Sequence, residues 1–416
     1  MLGIAWRSLC NRRRTLVLAT IAVAMSVALI LTVEKVRREA RSSFAQTVSG
    51  TDLIVGARSG SIQLLLYSVF RIGDATSNIS WQSAQELAAR PAVKWSIPIS
   101  LGDSHRGYRV VGTSSDMFVH FRYGRNQPLE IATGRPFDDV FDAVIGSEIA
   151  QVLGYTVGQE IVIGDGTGEV TLVEHDKRPF RISGILAPTG TPVDRSVHIS
   201  LEGIEAMHLN WQSGSDVEDS ISVDEIRAME LTPGSVTAMM IGLKSRGAVF
   251  REQRNINNYR QEPLLAILPA VALQELWNLI GVAEKALFFV SASVVVAGLI
   301  NLVSILLASL GERRREMAIL RASGARPSHV FGLLCIESTA LTSLGVLFGL
   351  LLHFITIAIV GWWIGERYGL IINVGLPDRQ DIMILLSITV AGAVSGLIPA
   401  IAAYRTSLSD GMTQRL

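Results

Sequence analysis

Three short groupings of acids and imidazoles carry side chains able to hold a metal or move a proton. They are Asp103 with His105, the run Glu174–His175–Asp176, and Asp194 with His198. Carboxylates and imidazoles are ordinary zinc ligands, and a His–carboxylate pair is an ordinary general base. None has a recognised catalytic spacing: the chain holds no His-Glu-x-x-His and no Gly-x-Ser-x-Gly. Scattered residues of this type are mostly solvated, so neither a catalytic centre nor a metal site is expected. The glycine-rich stretches GARSG (56–60) and GDGTG (164–168) lack the Gly-Lys-Ser/Thr ending of a phosphate-binding loop and read as turns.

A fourth grouping differs in kind. Glu312, Arg313, Arg314, Arg315 and Glu316 stand side by side in SLGERRREMAILRASGARPSHV, between two long apolar runs. Four runs reach membrane length, at roughly 15–33, 286–310, 331–361 and 382–404. Placing three arginines and two glutamates in hydrocarbon would cost on the order of 10 kcal/mol. Runs two and three therefore cannot form one buried hairpin, and the charges force an excursion into water.

Composition agrees. The chain of 416 residues is 49% hydrophobic and only 18% charged, below the roughly 25% of soluble domains. Its formal net charge is zero, so nothing global points to nucleic acid. The two cysteines, Cys10 and Cys335, both lie outside the long polar middle, which cannot hold a disulfide. They read as small apolar filler.

The first run follows Arg7, Arg12, Arg13 and Arg14. Its apolar core exceeds the 7–15 residues of a signal peptide and no Ala-x-Ala site closes it, so an uncleaved anchor is expected. Those arginines direct the N-terminus to the cytoplasm. Lys35, Arg37, Arg38 and Arg41 weaken the asymmetry, but long translocated domains cross largely regardless of such charges. Run two returns inward, placing Arg313 to Arg326 on the cytoplasmic side. Run three ends at Trp362 and Trp363, where an outer aromatic belt would lie, and run four returns to Tyr404 and Arg405. Both termini are then cytoplasmic.

Within the excursion, residues 312–323 predict a short helix. Met317 and Leu320 share one face and Arg314 and Arg321 another, Gly324 suits a C′ position, and Pro327 prevents continuation. On these residues alone the helix is either a topology determinant touching anionic headgroups or a docking surface for a partner.

The stretch ERRREMAILRASGA resembles the signature of the FtsX-type permease family, which includes MacB-type and LolC/LolE-type members. AWRSLCNRRRTLVLATIAVAMSVALI resembles that family's first span. CIESTALTSLGVLFGLLLH resembles its third, with Glu337, Gly345 and Gly349 at the expected places. VSGLIPAIAAYRTSLSDGM resembles its end, without the usual closing Pro-x-x-Ala-Leu. AVIGSEIAQVLGYTVGQEIVIG and RPFRISGILAPTGTPVDRSVHISLEGIE resemble the MacB-type periplasmic core domain. The resemblance implies an α-helical membrane protein with four transmembrane helices and a mixed α/β extracytoplasmic domain between helices one and two.

It further implies a bacterial inner-membrane subunit whose cytoplasmic coupling helix contacts an ABC ATPase. By that resemblance Glu312, Arg313, Arg314, Arg315, Glu316, Met317, Leu320, Arg321 and Gly324 form the contact. Two ATPase copies carrying ATP and Mg, a second permease copy, membrane lipids and a periplasmic adaptor or substrate-binding protein are the implied partners. No cofactor is implied for this chain, and ATP hydrolysis is expected of a separate polypeptide. The implied division is 1–34 (N-terminus and helix one), 35–272 (periplasmic domain), 273–310 (stalk and helix two), 311–329 (coupling helix), 330–361 (helix three), 362–381 (loop), 382–404 (helix four) and 405–416 (tail). A second reading within the family is a signalling subunit that activates a cell-wall or periplasmic partner without transport. A membrane-anchored enzyme is disfavoured by the missing catalytic motifs.

Residues 34–285 alternate strand and helix patterns, which predicts an α/β domain of one or two lobes. AVIGSEIAQVLGYTVGQEIVIG reads strand, helix, turn, strand, with Gly154 and Gly158 where turns need positive φ. FRISGIL reads as another strand, and the acidic, serine-rich 210–226 as including a surface loop. A helix from about Leu273 to Leu310 would be roughly 57 Å long, beyond the 30 Å hydrocarbon core. Inside the spans, Asn301, Glu337 and His353 are polar, and Glu337 lies about two turns from the inner surface, within reach of headgroups or an excursion arginine. Gly345 with Gly349 and Gly392 with Gly396 form G-x-x-x-G pairs, suited either to a dimer seam or to packing within one subunit. No span carries a continuous polar stripe, which argues against a water-filled pore.

Overall fold

The structure is a computed structural model and describes residues 13–47, 49–124, 126–166, 173–174, 178–209, 223–312, 326–368 and 375–405. These form two units, one of long apolar helices and one spanning Ala40–Ile280.

Among the described residues, four helices are long and apolar enough to cross a membrane, over Val17–Glu39, Pro269–Leu310, Ser328–Trp363 and Arg379–Ala402. The second opens at Pro269, four residues before the expected Leu273, and runs unbroken to Glu312. Proline suits the first helical position, where its missing N–H would have no partner. The Leu268 carbonyl accepts from Val271 and Ala272 N–H, both at 3.0 Å, and so seeds the helix. At 44 residues it is about 66 Å long. The fourth differs from the expected uninterrupted 382–404. It starts at Arg379 and breaks at Gly396, giving Arg379–Ser395 and Leu397–Arg405. Pro399 is the cause, because it has no N–H for the Ser395 carbonyl four residues back.

The second unit is built on a twelve-stranded mixed sheet. Its main path runs Leu264–Ile267, Leu53–Ala57, Ala238–Leu243, Val93–His105, Tyr108–Thr113, Ser196–Ser200, Asp142–Ile145, Phe180–Leu186 and Ile131–Gly134. One sheet thus runs through the whole unit. Tyr108–Thr113 pairs in parallel with Ser196–Ser200, and Asp142–Ile145 with Phe180–Leu186. The remaining main-path neighbours are antiparallel. Side chains alternate between faces, as strand geometry requires. Ile54, Ile97, Val111, Val144 and Met240 pack with Leu64 and Leu65 of helix Ser61–Phe70. On the opposite face, Leu53, Val55 and Ile241 pack under helices Trp81–Ala88 and Val249–Asn257. Ala143, Ile145, Val197 and Ile199 also face that side, under Ser147–Leu153 and Leu201–His208.

The strand–helix–turn–strand reading of 143–164 matches the structure. Helix Ser147–Leu153 ends on Gly154 at φ +68°, and Gly158 takes φ +95°. FRISGIL is the strand Phe180–Leu186. GARSG is not wholly a turn: Gly56 and Ala57 end a buried strand, and a Cβ at Gly56 would press on Leu64 and the Tyr67 hydroxyl. In GDGTG, Gly164 and Asp165 are strand, and 167–168 lie outside the described residues. Of the acidic segment 210–226, Val223 opens a short helix to Ala228, and 210–222 lie outside the described residues.

Candidate functional site

Among the coupling residues, Glu312 is the last residue of the second long helix. Arg313, Arg314, Arg315, Glu316, Met317, Leu320, Arg321 and Gly324 lie outside the described residues. The next helix resumes at Pro327.

The two acid–imidazole groupings that lie within the described residues, Asp103 with His105 and Asp194 with His198, do not assemble. Asp103 faces His208 at 3.5 Å, whereas His105 meets the Val162 carbonyl at 2.5 Å and the Tyr155 hydroxyl at 3.0 Å. Asp194 is buried and staples its own loop, accepting from Thr189 N–H (2.9 Å), Thr189 Oγ1 (2.8 Å) and Gly190 N–H (2.7 Å). Burial still leaves its carboxyl above the usual range. His198 points to the opposite sheet face from Val197 and Ile199, is completely buried, and makes no hydrogen bond of normal geometry. The Val193 backbone offers it only a weak contact, and burial beside Arg71 drops its pKa to about 3. His175 and Asp176 lie outside the described residues. No group of three or more potential metal ligands exists among the described residues.

The glycine pairs seat helices of the same subunit against one another. A Cβ at Gly345 would meet Val23 Cγ1 at 2.7 Å, and one at Gly349 would meet the Ala24 carbonyl at 2.7 Å. Both face the first span. A Cβ at Gly392 would collide with Thr342, and one at Gly396 would meet Ser338 Cβ at 2.5 Å, so both face the third span. Ser338 Oγ also donates to the Gly392 carbonyl at 2.8 Å. Spans one and two meet at Gly298, whose Cβ would lie 2.7 Å from Ser26 Oγ. Ser26 in turn donates to the Val294 carbonyl at 3.2 Å. This last contact has no G-x-x-x-G signature, since each helix contributes one small residue.

The intramembrane polar residues separate. Asn301 is exposed on the outside of the helical unit. Glu337 is buried, at 6% exposure, and the excursion arginines Arg313, Arg314, Arg315 and Arg321 lie outside the described residues. His353 is buried and its Nδ1 lies 3.0 Å from Thr32 Oγ1, tying span three to span one.

That bond is the first rung of a network that sequence reading passed over. Arg37 reaches Glu34 at 2.6 Å and Glu284 of the second long helix at 3.4 Å. Arg38 reaches Asp381 of the fourth at 2.5 Å and Gln380 at 3.2 Å. Lys35 pairs with Glu39 at 3.0 Å. Asp381 is buried and reciprocally caps its helix with Asp378, whose N–H it receives at 3.0 Å. Seven residues of the first helix, Thr32 to Arg38, therefore touch all three other long helices. Three of the four basic residues that weaken the topology asymmetry, Lys35, Arg37 and Arg38, have acidic partners here. Their acidic partners at 284 and 381 are too far away in sequence for a local pattern to reveal.

Chemically, this arrangement clamps helices together, and no described group is poised to attack a substrate. Comparison with known proteins gives the same type of molecule. The family model for the MacB-like periplasmic core domain matches residues 15–241, and that for the FtsX-like permease C-terminal region matches 288–408. The chain is 23% identical over 402 residues to the macrolide export ATP-binding/permease protein MacB of Nitrobacter winogradskyi, covering 92% of this chain and 55% of that protein. It therefore spans little more than half of that relative's length. Among solved structures, the periplasmic region of MacB from Actinobacillus actinomycetemcomitans aligns with 56% of this chain and 94% of its own, at 12% identity and a TM-score of 0.34. The extracellular domain of the noncanonic ABC-type transporter YknZ from Gram-positive bacteria aligns with 52% and 99%, at 12% identity and a TM-score of 0.30. These two structural likenesses are too slight to bear on the assignment. The periplasmic-core match covers more than half of the chain and the permease match most of the remainder, so the chain belongs to the MacB/FtsX-type permease family of ABC transporters.

Proposed function

We propose that this chain is the membrane subunit of an ATP-driven, MacB-like exporter or extractor, working as a dimer with two copies of a separate ATPase. The substrate class is a lipoprotein, a peptide or an amphipathic molecule. In this reading the termini and the Glu312–Gly324 segment are cytoplasmic, and closure of the ATPases pushes on Arg313, Arg314, Arg315 and Arg321. The observation that supports it best is the unbroken helix Pro269–Glu312. It begins one residue after a strand of the outer sheet, crosses a membrane-length apolar stretch, and ends at the charged segment. A helix transmits displacement along its axis because each residue is hydrogen-bonded to the next turn. The Thr32–Arg38 network adds that a push on one span is shared by all four. These 416 residues carry no phosphate-binding loop motif, so in this reading ATP hydrolysis is assigned outside them.

The test is co-purification with the ATPase. Reversing Arg313, Arg314 and Arg315 to glutamate is expected to reduce ATPase recovery to background while thermal unfolding of the outer domain stays unchanged. Undiminished ATPase binding by the reversed chain would contradict the coupling role.

A further inference from the structure

Helix Val249–Asn257 buries Val249, Glu252 and Ile256 against the sheet and exposes Phe250, Arg251, Arg254 and Asn255. Phe250 projects from that surface at 72% exposure, more than any other described aromatic side chain of the sheet unit. On a helix, residues four apart are neighbours, so Arg254 adjoins Phe250 directly. Arg246 lies four residues before it, in the turn that leads into the helix. Lys244, Arg251 and Arg260 are also exposed nearby in the chain. The single acid of the segment, Glu252, is buried and held by Arg90 at 3.3 Å. Arg246, Arg254 and Arg260 have no acidic partner among the described residues.

The platform is rigid. Gln253 Nε2 donates to the Ala266 carbonyl at 3.1 Å, and Asn257 Oδ1 accepts the Ala266 N–H at 2.6 Å. Ala266 lies in the strand Leu264–Ile267, which leads through Leu268 into the helix beginning at Pro269.

The geometry points to this face as a docking surface for an acidic segment of an extracytoplasmic protein, with Phe250 filling an apolar pocket of that partner. Exposed aromatics ringed by arginine are the usual centre of protein interfaces, where arginine binds carboxylates in a fixed fork. A membrane surface suits the patch poorly. An interfacial helix buries a broad apolar face, and here Phe250 is the one large apolar side chain exposed on the helix. Because strand Leu264–Ile267 is hydrogen-bonded to the docking helix, an occupant would sit one strand from the root of the Pro269–Glu312 helix. The inference refines the proposed function by assigning a partner to the outer domain, but the docking itself does not require the ATPase.

The test places the photo-crosslinking amino acid benzoylphenylalanine at position 250 of the full chain in its native host, with position 119 as an exposed control. The expected result is a protein adduct at 250 and none at 119, with the crosslinked peptide carrying several aspartates or glutamates. Arg246→Glu with Arg254→Glu is expected to lower the adduct about tenfold or more at an unchanged melting temperature. Titrating full-length protein in detergent with a synthetic copy of that peptide is expected to show binding that weakens with salt. The adduct is expected to persist when Arg313, Arg314 and Arg315 are reversed, so its loss is distinguishable from failure of the ATPase reading. No adduct, an adduct to lipid or to a second copy of this chain, a non-acidic target, or indifference to charge reversal would each overturn the assignment.

Discussion

Asp381→Ala is expected to lower the stability of the helical unit by about 3 kcal/mol, because it leaves Arg38 charged and largely buried beside the fourth helix. The Arg38–Asp381 contact is 2.5 Å, with side-chain exposures of 20% and 7%. The same carboxylate also receives the Asp378 N–H, so the alanine removes half of a capping box, worth about 1 kcal/mol. Glu34, at 3.7 Å from Arg38, is a poor substitute partner. Arg38→Ala with Asp381→Ala should cost less than the two single changes added together, since neither charge is then stranded. Thermal unfolding of the four variants in one detergent provides the cycle. Strict additivity would mean that the pair is not a clamp.

The second large effect is acid sensitivity centred on His198. In the fold its imidazole is held neutral, with a pKa near 3, while in the unfolded chain it titrates near its ordinary 6.5. Above about pH 6.5 both states are neutral and stability is fully present. As pH falls below that, the unfolded state takes a proton that the folded state refuses. Stability then declines by about 1.4 kcal/mol per pH unit until about pH 3. Arg71 sharpens the penalty. It lies close enough to repel a protonated ring, and its own pKa falls to about 10 through burial and the neighbouring Arg109. Burial raises the Glu148 and Asp194 pKa values, which acts in the opposite direction, so the comparison must be between wild type and a His198 variant. His198→Leu is expected to be nearly neutral at pH 7.5, since it removes a buried polar group that has no hydrogen bond of normal geometry. At pH 4.5 it should be more stable than wild type by on the order of 2–3 kcal/mol. Equal acid shifts in the two melting curves would refute this.

Much of the architecture was readable in the residues because it is written locally. Hydropathy alone marks the four long helices, and positive φ at Gly154 and Gly158 follows from turn chemistry around a short helix. The G-x-x-x-G pairs announced close packing, but which helix they pack against is a tertiary fact: Gly345 and Gly349 take Val23 and Ala24, and Gly392 and Gly396 take Thr342 and Ser338. The break after Ser395 was visible in principle through Pro399, whose missing N–H leaves the Ser395 carbonyl, four residues upstream, without a helical donor. The Thr32–Arg38 network was illegible for a different reason. In the sequence Arg37 and Arg38 count only as charges that weaken the topology asymmetry, because their partners Glu284 and Asp381 lie some 250 and 340 positions away. Pairings such as Asp103 with His105 failed in reverse: closeness in sequence suggested a pair, but tertiary packing gives Asp103 to His208 and His105 to Tyr155 and the Val162 carbonyl.

The most direct test of the coupling proposal is a single cysteine at position 314 in a Cys10→Ala, Cys335→Ala chain. The account predicts that a membrane-impermeant maleimide labels it only in inverted vesicles, and that a short bifunctional linker joins it to the ATPase in a nucleotide-dependent yield. Labelling of that cysteine from outside intact cells would contradict the account.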